Sequence, residues 1–110
     1  SFGCCQSQNL IYCLTCGHCG LQYVGQTKTT LKTRINNHRS TIRTGKFYLP
    51  VPNHMKTHND LVDPKLTIHI LEFIKFPTDS LRAKQSRDQT ERDWMARLNT
   101  LVPNGMNLAE

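Results

Sequence analysis

Four thiol and imidazole side chains fall in two short pairs, Cys16-x-x-Cys19 and His54-x-x-x-His58. Two thiolates at that spacing can converge on one ion from a tight turn, and two imidazoles four residues apart share one face of a helix. Each pair alone is common: a Cys-x-x-Cys also serves as a redox couple, and such a His pair also arises on ordinary surfaces. Together, in a chain with five Cys and five His, they read as a Cys2His2 zinc site, with Cys13 and His18 as competing ligands. Cys13 alternates away from Tyr12 along an apolar run, which reads instead as a small core residue. A site closed by four protein ligands leaves no position for water, so its zinc would be structural. Its work would be to pin the stretch 45–60 onto the segment that carries the cysteines.

Other residues suit phosphate chemistry. Arg34 and His38 lie four apart, about 40° around a helix, and can reach one point at the edge of a sheet. Arg34 could hold a phosphate by charge-assisted hydrogen bonds; the plainer reading is one more surface arginine. Glu91 falls on the side of a later helix marked by Trp94, Met95, Leu98 and Leu101. A carboxylate buried there needs a partner, either an arginine or a hard divalent cation such as Mg²⁺ or Mn²⁺. Tyr12 and Tyr23 stand eleven residues apart and can be aromatics packed across a hairpin.

The elements that would position these groups are legible in outline. Asn9 to Leu14 and Leu21 to Gly25 read as two short strands joined by the Cys-Gly-His-Cys-Gly turn. Thr27, Thr29 and Thr30 offer N-caps for a helix over about residues 30–44, ended by Gly45, with Leu31, Ile35, His38 and Ile42 as its inward stripe. Pro50 and Pro52 interrupt the pattern before a short helix near 54–58. Leu66 to Ile74 is a β-branched and apolar run, a third strand closed by Pro77. Asp79 or Ser80 can cap a long helix reaching about Thr100, and Pro103-Asn104-Gly105 then forces a turn. The order is ββα, an insert, then βα. It predicts an α+β domain over 9–110 with a small three-stranded antiparallel sheet flanked by helices and a zinc-binding insert around 45–60. Residues 1–8 read as a tail or linker, and Cys4 and Cys5 have no evident partner.

The chain has 110 residues and 37% hydrophobic content, which suits one domain with a modest core that a metal would help to hold. No apolar run approaches the ~18 residues of a membrane helix, and no signal peptide is apparent at the start. The net charge of +6 is asymmetric, because all eight acidic residues lie at Asp60 or later. Lys28, Lys32, Arg34, Arg39, Arg43 and Lys46 fall within nineteen residues. A solvated helix face is the ordinary reading of a charge run; a half-chain with no acid at all favours a polyanion such as DNA or RNA. Five cysteines with metal-ligand spacing suit a reducing compartment, cytosol or nucleus.

Taken in order, Leu10-Ile11-Tyr12, Tyr23-Val24-Gly25, Arg34, His38, Glu91 and Asn107 resemble the GIY-YIG nucleases, over about Leu10 to Asn107. Leu10 stands where that pattern has glycine, and Val24 where it has isoleucine; both tyrosines and Gly25 are kept. Cys16 and Cys19 inside the motif, with His54 and His58 downstream, further resemble the endonuclease domain of Penelope-like retroelements. The resemblance implies a DNA endonuclease that uses a single Mg²⁺ or Mn²⁺ held by Glu91. Its catalytic set would be Tyr12, Tyr23, Arg34, His38, Glu91 and Asn107, with Tyr12 as base or water-orienting group. Tyr23 would meet the phosphate or the water, and Asn107 would tether a loop or a phosphate oxygen. It also favours Cys16, Cys19, His54 and His58 as the zinc ligands. Gly25, Lys28, Lys32, Arg39, Arg43 and Lys46 would contact DNA. A nuclear protein joined to a reverse transcriptase in one polypeptide, nicking target DNA to prime reverse transcription, is the implied setting. The competing readings are a zinc-stabilised nucleic-acid-binding module without catalysis and a host repair or recombination nuclease.

Overall fold

The structure, a computed structural model, describes residues 9–74 and 81–108. The expected tail at 1–8, the closing Pro77 and the caps Asp79 and Ser80 lie outside the described residues. Six elements follow in order: β1 (Leu10–Cys16), β2 (Gln22–Thr27), α1 (Leu31–Arg43), α2 (Pro50–Thr57), β3 (Leu66–Phe73) and α3 (Leu81–Leu98). The sheet has three antiparallel strands in the order β2-β1-β3. Among the described residues no helix is long and apolar enough to cross a membrane.

β1 is the middle strand and is covered on both faces, which is why its sequence is nearly continuous in apolar residues. Leu10, Tyr12, Leu14 and Cys16 face one side, where Ile42 of α1 and Val51 and Met55 of α2 complete a core. Ile11 faces the other side with Val24, Leu71 and Ile74, against Trp94, Met95 and Leu98 of α3. Cys13 is fully buried, consistent with a small residue filling the interior. Between Ile11 and Tyr12 the register with β3 slips, so that Ile11 pairs with Glu72 and Tyr12 with Ile70.

α1 starts where the threonines place it: the Thr30 hydroxyl accepts the Thr33 N–H at 3.2 Å, an N-cap bond. It ends at Thr44, followed by Gly45 with φ +73. α2 is longer than the expected 54–58. Pro50 and Pro52 begin this helix instead of interrupting it, because the first helical N–H groups have no intrahelical acceptor and a proline loses nothing there. His54 therefore lies inside α2, and His58 is the cap residue just past it. α3 ends earlier than expected. Asn99 turns left-handed at φ +55, so Leu101 leaves the helix and is 41% exposed instead of extending the buried side.

Candidate active site and metal centre

Tyr12 is the hub of the first cluster. Its ring lies opposite Gly25 in the β1–β2 pairing, and a Cβ at Gly25 would collide with the phenol oxygen. The glycine expected among the DNA-contacting residues is buried and has a steric role: it leaves the space that the Tyr12 ring occupies. The hydroxyl receives the Arg34 Nε–H at 2.9 Å and lies 2.7 Å from His38 Nε2. With Arg34 donating, we assign the phenol proton to His38 Nε2, which then accepts as a neutral imidazole carrying its own proton on Nδ1. Burial, reinforced by the nearby Arg34 charge, lowers the His38 pKa to about 4, so the ring is neutral at physiological pH.

Both tyrosines are held above the ordinary phenol range. For Tyr12 burial is the main cause, opposed by Arg34 and supported by the charges of Tyr23 and Glu91. For Tyr23 burial is again first, followed by Glu91, with Arg34 opposing. The Tyr23 ring sits edge-on to His38 with centroids 5.9 Å apart. A cleft of about 100 Å³ opens over this cluster, walled by Tyr23, by Arg34, Asn37 and His38 of α1, and by residues 49–52. The remaining guanidinium N–H groups of Arg34 make no hydrogen bond among the described residues, so they can meet an anion in that cleft.

Glu91 approaches from α3 on the opposite face of the sheet. It is half-buried, not sunk on an apolar side as expected. The physical reason is that α3 rests on the sheet chiefly through Met95, while Trp94 is itself half-exposed and gives its indole N–H to Glu72 at 2.9 Å. The Glu91 charge nonetheless raises the pKa of Tyr12 and of Tyr23, which puts it within electrostatic reach of both hydroxyls. A carboxylate so placed is the donor type that a hard divalent cation takes.

Asn107 is buried, and both arms of its amide engage one residue of β2. Its oxygen accepts the Val24 N–H at 2.8 Å and its nitrogen donates to the Val24 carbonyl at 2.9 Å. Of its two expected roles this arrangement is that of the tether, with both arms of the amide bonded to the backbone of β2. Lys28, Lys32, Arg43 and Lys46 are exposed, whereas Arg39 is half-buried with its Nε enclosed. Two residues escaped the sequence reading. Asn37 lines the cleft, and its place three residues after Arg34 was the available signal. Arg87 is 3% exposed and gives its Nε–H to Gln26 at 3.2 Å; nothing in a charged stretch of helix marked it for burial.

The second cluster lies farther along the same face of β1. The ligand atoms of Cys16, Cys19, His54 and His58 all fall within 4.8 Å of one another, and Cys19 Sγ is 3.3 Å from His54 Nε2. Gly20, at φ +78, closes the knuckle, and the His18 N–H points at Cys16 Sγ at 3.4 Å. His58 Nε2 is buried with no hydrogen-bond partner among the described residues. Soft thiolates with imidazoles at this separation fit Zn²⁺. His18, the competing ligand, is engaged elsewhere: it stacks on His58 with centroids 4.6 Å apart and meets Asp60 at 2.7 Å.

The family model of the GIY-YIG catalytic domain matches residues 8–107. The chain belongs to the GIY-YIG family. Among solved structures it is similar to the catalytic domain of the homing endonuclease I-TevI, with a TM-score of 0.69 and 21% identity over 94% of this chain and 100% of that one. At that identity the likeness concerns the fold. No curated protein gives a significant match. In this GIY-YIG domain Cys16 and Cys19 lie between Tyr12 and Tyr23 along the chain, and α2 brings His54 and His58 to them.

Proposed function

We propose that this GIY-YIG domain is a divalent-metal-dependent DNA endonuclease that nicks one strand per encounter. The observation that carries the reading is the Arg34–Tyr12–His38 chain of hydrogen bonds, closed over by a cleft and within reach of the Glu91 charge. Hydrolysis of a phosphodiester needs an oriented water, a group to take its proton and positive charge against the pentacovalent phosphate. The Arg34 guanidinium, which lines the cleft, binds the phosphate. Tyr12 orients the water and passes its own proton to His38 Nε2 as it draws one from the nucleophile. A bound phosphate offsets the Arg34 charge that lowers the His38 pKa, so substrate binding makes His38 the stronger base. Mg²⁺ or Mn²⁺ held by Glu91 would supply further positive charge to the transition state.

The wider setting is an inference from the resemblance. Cys16, Cys19, His54 and His58 hold a structural zinc in the manner of Penelope-like retroelement endonucleases. The domain then nicks target DNA in the nucleus, alongside a reverse transcriptase in the same polypeptide, to prime synthesis. A non-catalytic zinc module explains the basic face but gives no role to the Tyr12 network. The direct test is a supercoiled plasmid incubated with zinc-loaded protein, with and without Mg²⁺. Conversion to the nicked circle only with Mg²⁺ is expected, and an intact plasmid in both arms would overturn the reading.

A further inference from the structure

The connection between α1 and α2 carries two adjacent aromatics in opposite situations. Phe47 is half-buried, with the Lys56 ammonium 4.8 Å from its ring centroid. Tyr48 is 78% exposed. The turn that presents it is closed by backbone hydrogen bonds, from the Lys46 N–H to the Thr41 carbonyl and from the Leu49 N–H to the Lys46 carbonyl, both at 3.0 Å. Tyr48 is therefore held on an ordered turn. The next two residues, Leu49 and Pro50, already wall the cleft that holds Tyr23, Arg34 and His38.

The charges carried by this connection and its flanking helices decide what would cover the ring. Arg43, Lys46 and Lys56 are exposed on the same connection and its flanking helices, and no carboxylate occurs in the sequence before Asp60. An apolar protein partner would call for an apolar rim, whereas a lone aromatic among cations suits a nucleobase stacked on the ring with its phosphates held by the bases around it. Bases inside a duplex already stack on each other, so only an unpaired or displaced base offers a free face.

We propose that Tyr48 is a stacking platform for an unpaired nucleobase beside the phosphate bound in the Arg34 cleft. The placement rests on the DNA-cleaving reading of that cleft. It makes the preferred substrate a DNA with a bulge, flap or frayed step next to the cut.

The test uses zinc-loaded full chain without Mg²⁺ or Mn²⁺ and two duplex probes, one with a single unpaired 2-aminopurine and one fully paired. Wild type is expected to quench the unpaired probe and bind it more tightly than the paired one. Tyr48→Ala should lose the quenching and weaken binding to the unpaired probe by about five- to a hundredfold, the range for base–aromatic stacking. Tyr48→Phe and Tyr48→Trp should retain both. Unchanged quenching and affinity in Tyr48→Ala would overturn the proposal, as would Tyr48→Phe behaving like Tyr48→Ala. The two readings fail separately. Quenching by a wild type that nicks no plasmid defeats the nuclease assignment alone, and nicking with a Tyr48→Ala that still quenches defeats only the stacking.

Discussion

Tyr12 and Cys16 stand on the same face of β1, and each anchors a cluster completed by a helix packed on that face: α1 for Tyr12, α2 for Cys16. In the first cluster protein groups meet one another, a donor, a donor-acceptor and an acceptor in sequence, between β1 and α1. The second brings together four groups whose common property is that they accept, with Cys19 exposed and both histidines half-buried. Convergent acceptors have little to offer one another without a cation between them. The Tyr12 cluster is thus preorganised by hydrogen bonds, while the Cys/His quartet has the donor set that a cation would complete.

Removing zinc should separate the two clusters most sharply. Zinc at about a hundred times its dissociation constant adds roughly 2.7 kcal/mol, and each kcal/mol moves the melting temperature of a domain this size by about 4–8 °C. A chelator, Cys16→Ser or His58→Ala should therefore lower it by roughly 10–20 °C in a thermal scan. An unchanged melting temperature after zinc has been stripped to the level confirmed by elemental analysis would remove the ion from the fold.

Glu91→Gln should do the reverse. The half-buried position predicts a stability change of about 1 kcal/mol or less, while nicking in Mg²⁺ should fall by about 10²–10³-fold or more as transition-state charge goes uncompensated. A variant that nicks at the wild-type rate would take the metal away from Glu91. A collapsed melting temperature would show instead that the carboxylate serves the fold.

The His38 prediction concerns pH. Its folded pKa of about 4 lies below the ordinary 6.5, so between those values the unfolded chain takes up a proton that the folded chain refuses. The stability this neutral ring confers is complete above about pH 6.5 and is lost as pH falls toward 4, at up to about 1.4 kcal/mol per pH unit. Denaturant midpoints for wild type and His38→Gln should diverge over that window, with the variant the flatter. Parallel slopes would place His38 outside the buried network. Smallest of all, Lys32→Ala or Arg43→Ala should each lower the slope of log affinity against log salt by about one, with little change in rate at saturating DNA.

Much of this arrangement could be read from the chain. The threonine caps and Gly45 bounded α1 because local hydrogen bonding and backbone sterics decide helix ends there. The Cys/His quartet was readable because metal ligands must keep fixed spacings. Three things were not. Pro50 and Pro52 looked like breaks because a proline's meaning depends on whether it falls in the first turn, which only tertiary packing fixes. Glu91 looked buried because helical periodicity reports a face, not how deeply that face sinks. Asn107 left two roles open because an amide can bond a strand edge or a phosphate equally well, and the choice depends on what lies opposite it in space.

One consequence concerns the short helix that separates the two clusters. α2 spans eight residues, about 12 Å at 1.5 Å per residue, with its first turn forming a wall of the cleft, His54 in its last turn and His58 as the cap just past it. It acts as a strut with one foot in each cluster. The hydrogen-bonded trio at Tyr12 belongs to β1 and α1 and would survive if that strut swung away, but the channel through which a phosphate reaches Arg34 would lose a side. Oxidation of the Cys16–Cys19 pair, or metal starvation, would then act as a brake on cutting without altering any group that touches the scissile bond.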